Sequence, residues 1–107
     1  MASSPKEYFE NSVAQKLQET PDSYLKINAV YQFNITGDNG GSWTVDLTKP
    51  EVRPGEDENA RCVVTVEDGD FMQIVSRALN PQMAFMSGKL KVGGDMSLAM
   101  KLGEILV

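Results

Sequence analysis

The stretch 96–107, MSLAMKLGEILV, constrains the fold more than any other part of the chain. Its only polar heads are Ser97, Lys101 and Glu104, at spacings of four and three, so on a helix they form one narrow stripe. A helix seated on a single partner shows one apolar stripe with polar residues opposite. Here Leu98, Ala99, Met100, Leu102, Ile105 and Leu106 cover far more of the circumference than that. The rest of the fold must therefore enclose this segment on more than one side.

The totals narrow the function classes. At 107 residues the chain suits one domain with a respectable core. A net charge of −5 argues against nucleic acid and anionic membrane surfaces as partners. No apolar run is long enough to span a bilayer. The opening MASSPKEYFE has neither the basic flank nor the apolar centre of a secretory signal. A single cysteine cannot make an internal disulfide, which fits a reducing, cytoplasmic setting. Most telling, there is no histidine. That removes the commonest general base and metal ligand, and every Ser-His or Cys-His nucleophile arrangement.

The local patterns read in order. Ser4, Pro5 and Glu7 form an N-terminal helix start, and Phe9, Val13 and Leu17 repeat on one face of the helix that follows. Thr20-Pro21 repeats the cap-then-proline device for a second, shorter helix. VYQFNIT and SWTVDLT alternate apolar and polar residues around GDNGG, which predicts a β-hairpin. KPEVRPGEDENA, with two prolines, reads as an edge strand or loop. RCVVTVE is another alternating strand. The period then changes to 3.6 over 71–79, with Asp68 or Asp70 as cap and Asn80-Pro81 as the break. PQMAFMSG is a short helical turn closed by Gly88. KLKV is a strand, GGD a turn, and the terminal helix follows. The expected architecture is an α+β two-layer sandwich. Asn34, Thr44, Asp46 and Thr65 face water on one side of a largely antiparallel sheet, and helices cover the other.

Few residues offer chemistry. Cys62 alternates with Val64 and Val66 on the inward face, so a buried thiol is a better reading than a nucleophile. Glu56-Asp57-Glu58 lacks the spaced oxygens a calcium site needs, so a solvated loop is expected and no metal. Gly93-Gly94 only faintly resembles a phosphate-cradling turn. Asp46 and Asp95 have nothing that brings them together as an acid–base pair. No catalytic residue and no cofactor is predicted. The methionines say more: Met72, Met83, Met86, Met96 and Met100 all follow residue 70. Methionine fills ordinary cores, and it also recurs where varied apolar ligands are accepted. Together, 71–79, PQMAFM and the terminal helix offer more apolar surface than one sheet face covers. A lipid-sized cavity would use the excess.

NPQMAFMSGKLKVGGDMSLAMKLGEIL resembles the C-terminal signature of the sterol carrier protein type 2 domain family. GSWTVDL, CVVTVEDGDF and the N-terminal helix stand in that family's order, so the resemblance covers essentially the whole chain, 1–107. It implies five strands, mostly antiparallel, with helices on one face enclosing a hydrophobic tunnel. It also implies reversible, non-catalytic carriage of fatty acids, fatty acyl-CoA and sterols. The end Ile105-Leu106-Val107 is not the small-Lys-Leu peroxisomal address of eukaryotic relatives, which favours a cytoplasmic, bacterial carrier.

The expected ligand wall on the sheet is Phe33, Ile35, Trp43, Val45, Cys62 and Val64. On the helical side it is Phe71, Ile74, Val75, Leu79, Met83, Phe85 and Met86. The terminal helix adds Leu98, Met100, Leu102 and Ile105. Burying a sixteen-carbon chain yields on the order of 12 kcal/mol gross, at about 0.8 kcal/mol per CH₂, less several for ordering it. Such a site grips by shape and length. Lys89, Lys91 and Lys101 are either solvated or meet a carboxylate or CoA phosphate at the mouth. A monomer without membrane insertion is expected.

Overall fold

In the computed structural model, which describes residues 4–101, five strands form one sheet. They are β1 (Val30–Thr36), β2 (Gly41–Asp46), β3 (Glu51–Pro54), β4 (Cys62–Glu67) and β5 (Leu90–Gly94). Their spatial order is β3-β2-β1-β4-β5. Three of the pairings are antiparallel, whereas central β1 runs parallel to β4, with Phe33 opposite Val64. The predicted hairpin is β1–β2, in register at Phe33 and Trp43.

The helices grow from the signals in the sequence. Helix α1 runs from Pro5 to Glu19, α-helical at Pro5–Glu7 and Ala14–Glu19 and π-helical at Tyr8–Val13. The Ser4 hydroxyl accepts from the Glu7 amide at 3.2 Å, which satisfies one of the first-turn donors. After α1 come α2 (Pro21–Leu25), α3 (Asp68–Val75), α4 (Pro81–Met86) and α5 (Met96–Ala99). At α4 the Asn80 side chain accepts from the Gln82 and Met83 amides ahead of Pro81. At α5 the Asp95 side chain accepts from the Ser97 amide at 2.9 Å.

One sheet face and the helices share a core centred on Phe9. This ring stacks on Trp43 and on Phe71, with centroids 5.0 and 5.1 Å away, and lies 5.0 Å from Phe33. Phe9, Val13 and Leu17 are all buried, as the i, i+4, i+8 spacing predicts. Their partners Tyr31, Val45, Cys62, Val64 and Ile74 are buried with them.

Several local expectations need correction. Thr44 and Asp46 do not face water: they are buried together with Gln32. Because β4 pairs with β1 rather than with β3, the chain between β3 and β4 crosses the second sheet face and covers them. Thr44 Oγ1 donates to the Gly55 carbonyl at 2.9 Å, and the Asp57 amide donates to Gln32 Oε1 at 3.2 Å. Thr20 stands at the N-cap of α2 with Pro21 behind it, as expected, but its side chain makes no capping hydrogen bond. Its hydroxyl donates back to the Lys16 carbonyl, because α1 runs on to Glu19. Neither Asp68 nor Asp70 precedes α3, whose N-cap is Glu67; Asp68 instead accepts from the Asn39 amide and pins the hairpin loop. Helix α3 stops at Val75, where Arg77 takes φ +69° and the Ala78 and Leu79 amides fold back onto the Gln73 carbonyl. The terminal helix is seen as α5 and a following turn through Lys101; Leu102 to Val107 lie outside the described residues.

Candidate functional site: an apolar groove between α4, β5 and α5

Among the described residues, a groove of about 660 Å³ lies between α4, β5 and α5. It is lined by Asn80, Pro81, Gln82, Phe85 and Met86 from the α4 side, Leu90 and Val92 from β5, and Met96, Ala99 and Met100 from the α5 side. Its polar side chains are Asn80 and Gln82, both at the start of α4. Strand alternation explains β5, where Leu90 and Val92 point into the groove while Lys91 between them is exposed.

The large exposed apolar side chains gather here. Met83, Phe85, Met86, Met96 and Met100 are 61, 45, 81, 49 and 85% exposed, and the only other described one is Leu25. A cluster of this kind, beside a concave site, marks a surface that binds something. Two contacts fix the α5 wall. The buried Tyr31 hydroxyl donates to the Leu98 carbonyl at 2.7 Å, which ties α5 to the sheet. At the turn before α5, the Asp95 amide donates to the Arg61 carbonyl at 2.8 Å. Gly94 makes this approach possible: it has φ +91°, and a Cβ there would stand 2.3 Å from that carbonyl. Gly94 thus serves close backbone packing, whereas a Cβ at Gly93 would meet open space.

The predicted lining residues divide. Phe85, Met86 and Met100 border the groove. Phe33, Ile35, Trp43, Val45, Cys62, Val64, Phe71 and Ile74 lie in the packed core, and Val75 and Leu79 are half-buried against it. Leu98 is buried, and Met83, exposed on α4, is not among the residues that line the groove. Leu102 and Ile105 lie outside the described residues. The expected ligand wall did not include Asn80, Pro81, Gln82, Leu90, Val92, Met96 or Ala99, which line the groove. The alternation of KLKV was the available signal for Leu90 and Val92, and the methionine clustering was the signal for Met96.

The groups that could do chemistry are engaged elsewhere. The Cys62 thiol is buried, and desolvation, helped by the Asp95 charge, pushes it up to about 11. Burial alone would raise the Asp46 carboxyl, but hydrogen bonds from Thr48 and Arg53 outweigh it and hold the group below the ordinary range. Arg53 sits 3.1 Å from Asp46 and also pairs with Glu51 and Asp57. The Asp95 carboxyl is held low chiefly by its hydrogen bonds from Ser97, and it pairs with Arg61 at 3.2 Å. Among the described residues no helix is long and apolar enough to cross a membrane.

The structure is thus an α+β domain with a mixed five-stranded sheet, helices on one face and an apolar groove beside the edge strand β5. Residues 9–107 match the SCP-2 sterol transfer family, and the chain belongs to that family. Human sterol carrier protein 2 is 38% identical over 99 residues, covering 87% of this chain but 18% of its own length. Hydroxysteroid dehydrogenase-like protein 2 of Xenopus laevis is 37% identical over 105 residues, 87% of this chain and 25% of its own. The chain thus spans a quarter or less of these relatives. Among solved structures, palmitated SCP2L2 from Aedes aegypti superposes with a TM-score of 0.78 at 29% identity, covering 94% of this chain and 92% of that one.

Proposed function

We propose that this protein is a cytoplasmic lipid carrier that holds a fatty acid, fatty acyl-CoA or sterol-like molecule in the groove and delivers it without catalysis. The observation that carries the reading is the gathering of four exposed apolar side chains, Phe85, Met86, Met96 and Met100, around one concavity. A volume of about 660 Å³ falls within the roughly 300–1,000 Å³ of small-ligand sites. The solved relative that holds palmitate supports a long acyl chain as occupant.

The mechanism follows from a site that grips by apolar area. Each buried CH₂ contributes about 0.8 kcal/mol, and affinity comes without a charged contact, so ligands of different head group are accepted. The exposed methionines are unbranched and polarizable, and they repack around different shapes. Release requires α4 or α5 to move, with Gly88 and Gly94, both at positive φ, as pivots. The chain has no histidine, and with Cys62, Asp46 and Asp95 engaged elsewhere, no activated nucleophile or base lines the groove among the described residues, which supports carriage over turnover.

A direct test adds palmitate and palmitoyl-CoA to the purified protein under native mass spectrometry, with a parallel assay for acyl-CoA hydrolysis. One lipid per chain and no hydrolysis support the proposal. A bare mass at saturating lipid would sink it, and steady release of free CoA would replace it with an enzyme.

A further inference from the structure

The groove carries an unusual concentration of exposed thioethers. Met86, Met96 and Met100 line it, and Met83 is exposed on α4. Buried methionine is the common use of this residue, and here only Met72 among the described methionines packs against the core. The thiol that an oxidant would ordinarily attack first is out of reach. Cys62 is fully buried in β4, and its burial keeps it protonated at neutral pH, whereas thiol oxidation proceeds through the thiolate.

We propose that Met86, Met96 and Met100 form an oxidation-sensitive modification site, at which conversion to sulfoxides by a peroxide lowers the affinity of the groove for lipid. The inference rests on the carrier reading above. In the step itself, a sulfur lone pair attacks one peroxide oxygen and the O–O bond breaks. A sulfur–oxygen bond forms, and the other oxygen leaves as water or an alcohol. Sulfur loses two electrons and the peroxide gains them. The product is polar and chiral, and methionine sulfoxide reductases return it to the thioether. A lipid tail seated against a sulfoxide buries a strong acceptor with no donor from the tail. That penalty corresponds to roughly tenfold weaker binding for one such group.

The experiment measures uptake of a fluorescent fatty acid before and after limited hydrogen peroxide, with peptide mapping to locate added oxygen. The expected result is oxygen at Met86, Met96 and Met100 ahead of Met72 and Cys62. Affinity should fall about tenfold or more and recover with the two reductases. A variant carrying M86L, M96L and M100L, compared with itself before and after peroxide, should show no loss. Oxidation of all three methionines with unchanged affinity would overturn the switch alone. Oxygen going first to Cys62 or Met72 would overturn it too. Failure of the untreated protein to take up the probe would overturn the carrier reading and the switch together.

Discussion

The hydroxyl of Tyr31, in the middle of the sheet, donates a 2.7 Å hydrogen bond to the main-chain carbonyl of Leu98 in α5. Tyr31 is wholly buried, so this bond forms away from water and fixes the α5 wall of the groove to the sheet. Tyr31→Phe keeps the ring and removes the donor. The expected loss is about 1 kcal/mol of unfolding free energy, read as a lower urea midpoint with unchanged slope. Lipid affinity should fall alongside it, because Met96 and Met100 lose their anchor.

Phe9 is the centre of the aromatic core, in contact with Phe33, Trp43 and Phe71. Phe9→Ala should cost about 3–5 kcal/mol, a large share of the roughly 5–15 kcal/mol that holds a domain together. Trp43 is the only tryptophan and stacks on this ring, so its emission reports the change directly. Phe9→Leu should cost clearly less, since most of the volume stays.

Asp46 is buried, accepts from the Thr48 amide at 2.9 Å, and pairs with Arg53. Its folded carboxyl lies below the ordinary 3.8. It therefore contributes stability that is present above pH 3.8 and lost as pH falls through the lower folded value. Asp46→Asn should cost about 2 kcal/mol at pH 6. It should also flatten the fall in stability between pH 4 and acid, which paired urea titrations of the two proteins will show.

Gly94 sits at φ +91° with the Arg61 carbonyl where its Cβ would be. Gly94→Ala should therefore destabilise by about 2 kcal/mol or more, through both the backbone conformation and the clash. Gly88 has φ +83° and open space around it, so Gly88→Ala should cost only the conformational part, about 1 kcal/mol. Thermal unfolding of the pair separates clash from strain.

Much of the fold was legible because local signals and burial agree along the chain. Phe9, Val13 and Leu17 mark a helix face, and Phe33 opposite Trp43 marks a hairpin, through periodicity alone. What periodicity could not show was the parallel partnership of β1 with β4, which is a non-local choice. That choice sends the acidic loop across the second sheet face and buries Thr44 and Asp46, which alternation alone assigns to water. The early stop of α3 at Val75 escaped for a related reason: Arg77 carries a left-handed φ with no glycine to announce it.

The site was half legible. Clustered methionines pointed to the part of the chain that forms the groove, and Phe85, Met86 and Met100 border it. The sheet residues Phe33, Val45 and Val64 have the same apolar character, yet close packing with Phe9 and its neighbours takes up their surface. Hydropathy cannot tell a wall from a core. That distinction depends on which helices cover which strands: β5, at the sheet edge, keeps Leu90 and Val92 beside the groove.

The central claim is that lipid sits in the groove between α4, β5 and α5. Methyl-¹³C methionine NMR during a palmitate titration tests it most directly, since thioethers line the site and one stands away from it. The account predicts saturable shifts at Met86, Met96 and Met100, with Met72 nearly unmoved. Saturating palmitate that leaves those three methyls in place, or that shifts Met72 alone, would contradict it.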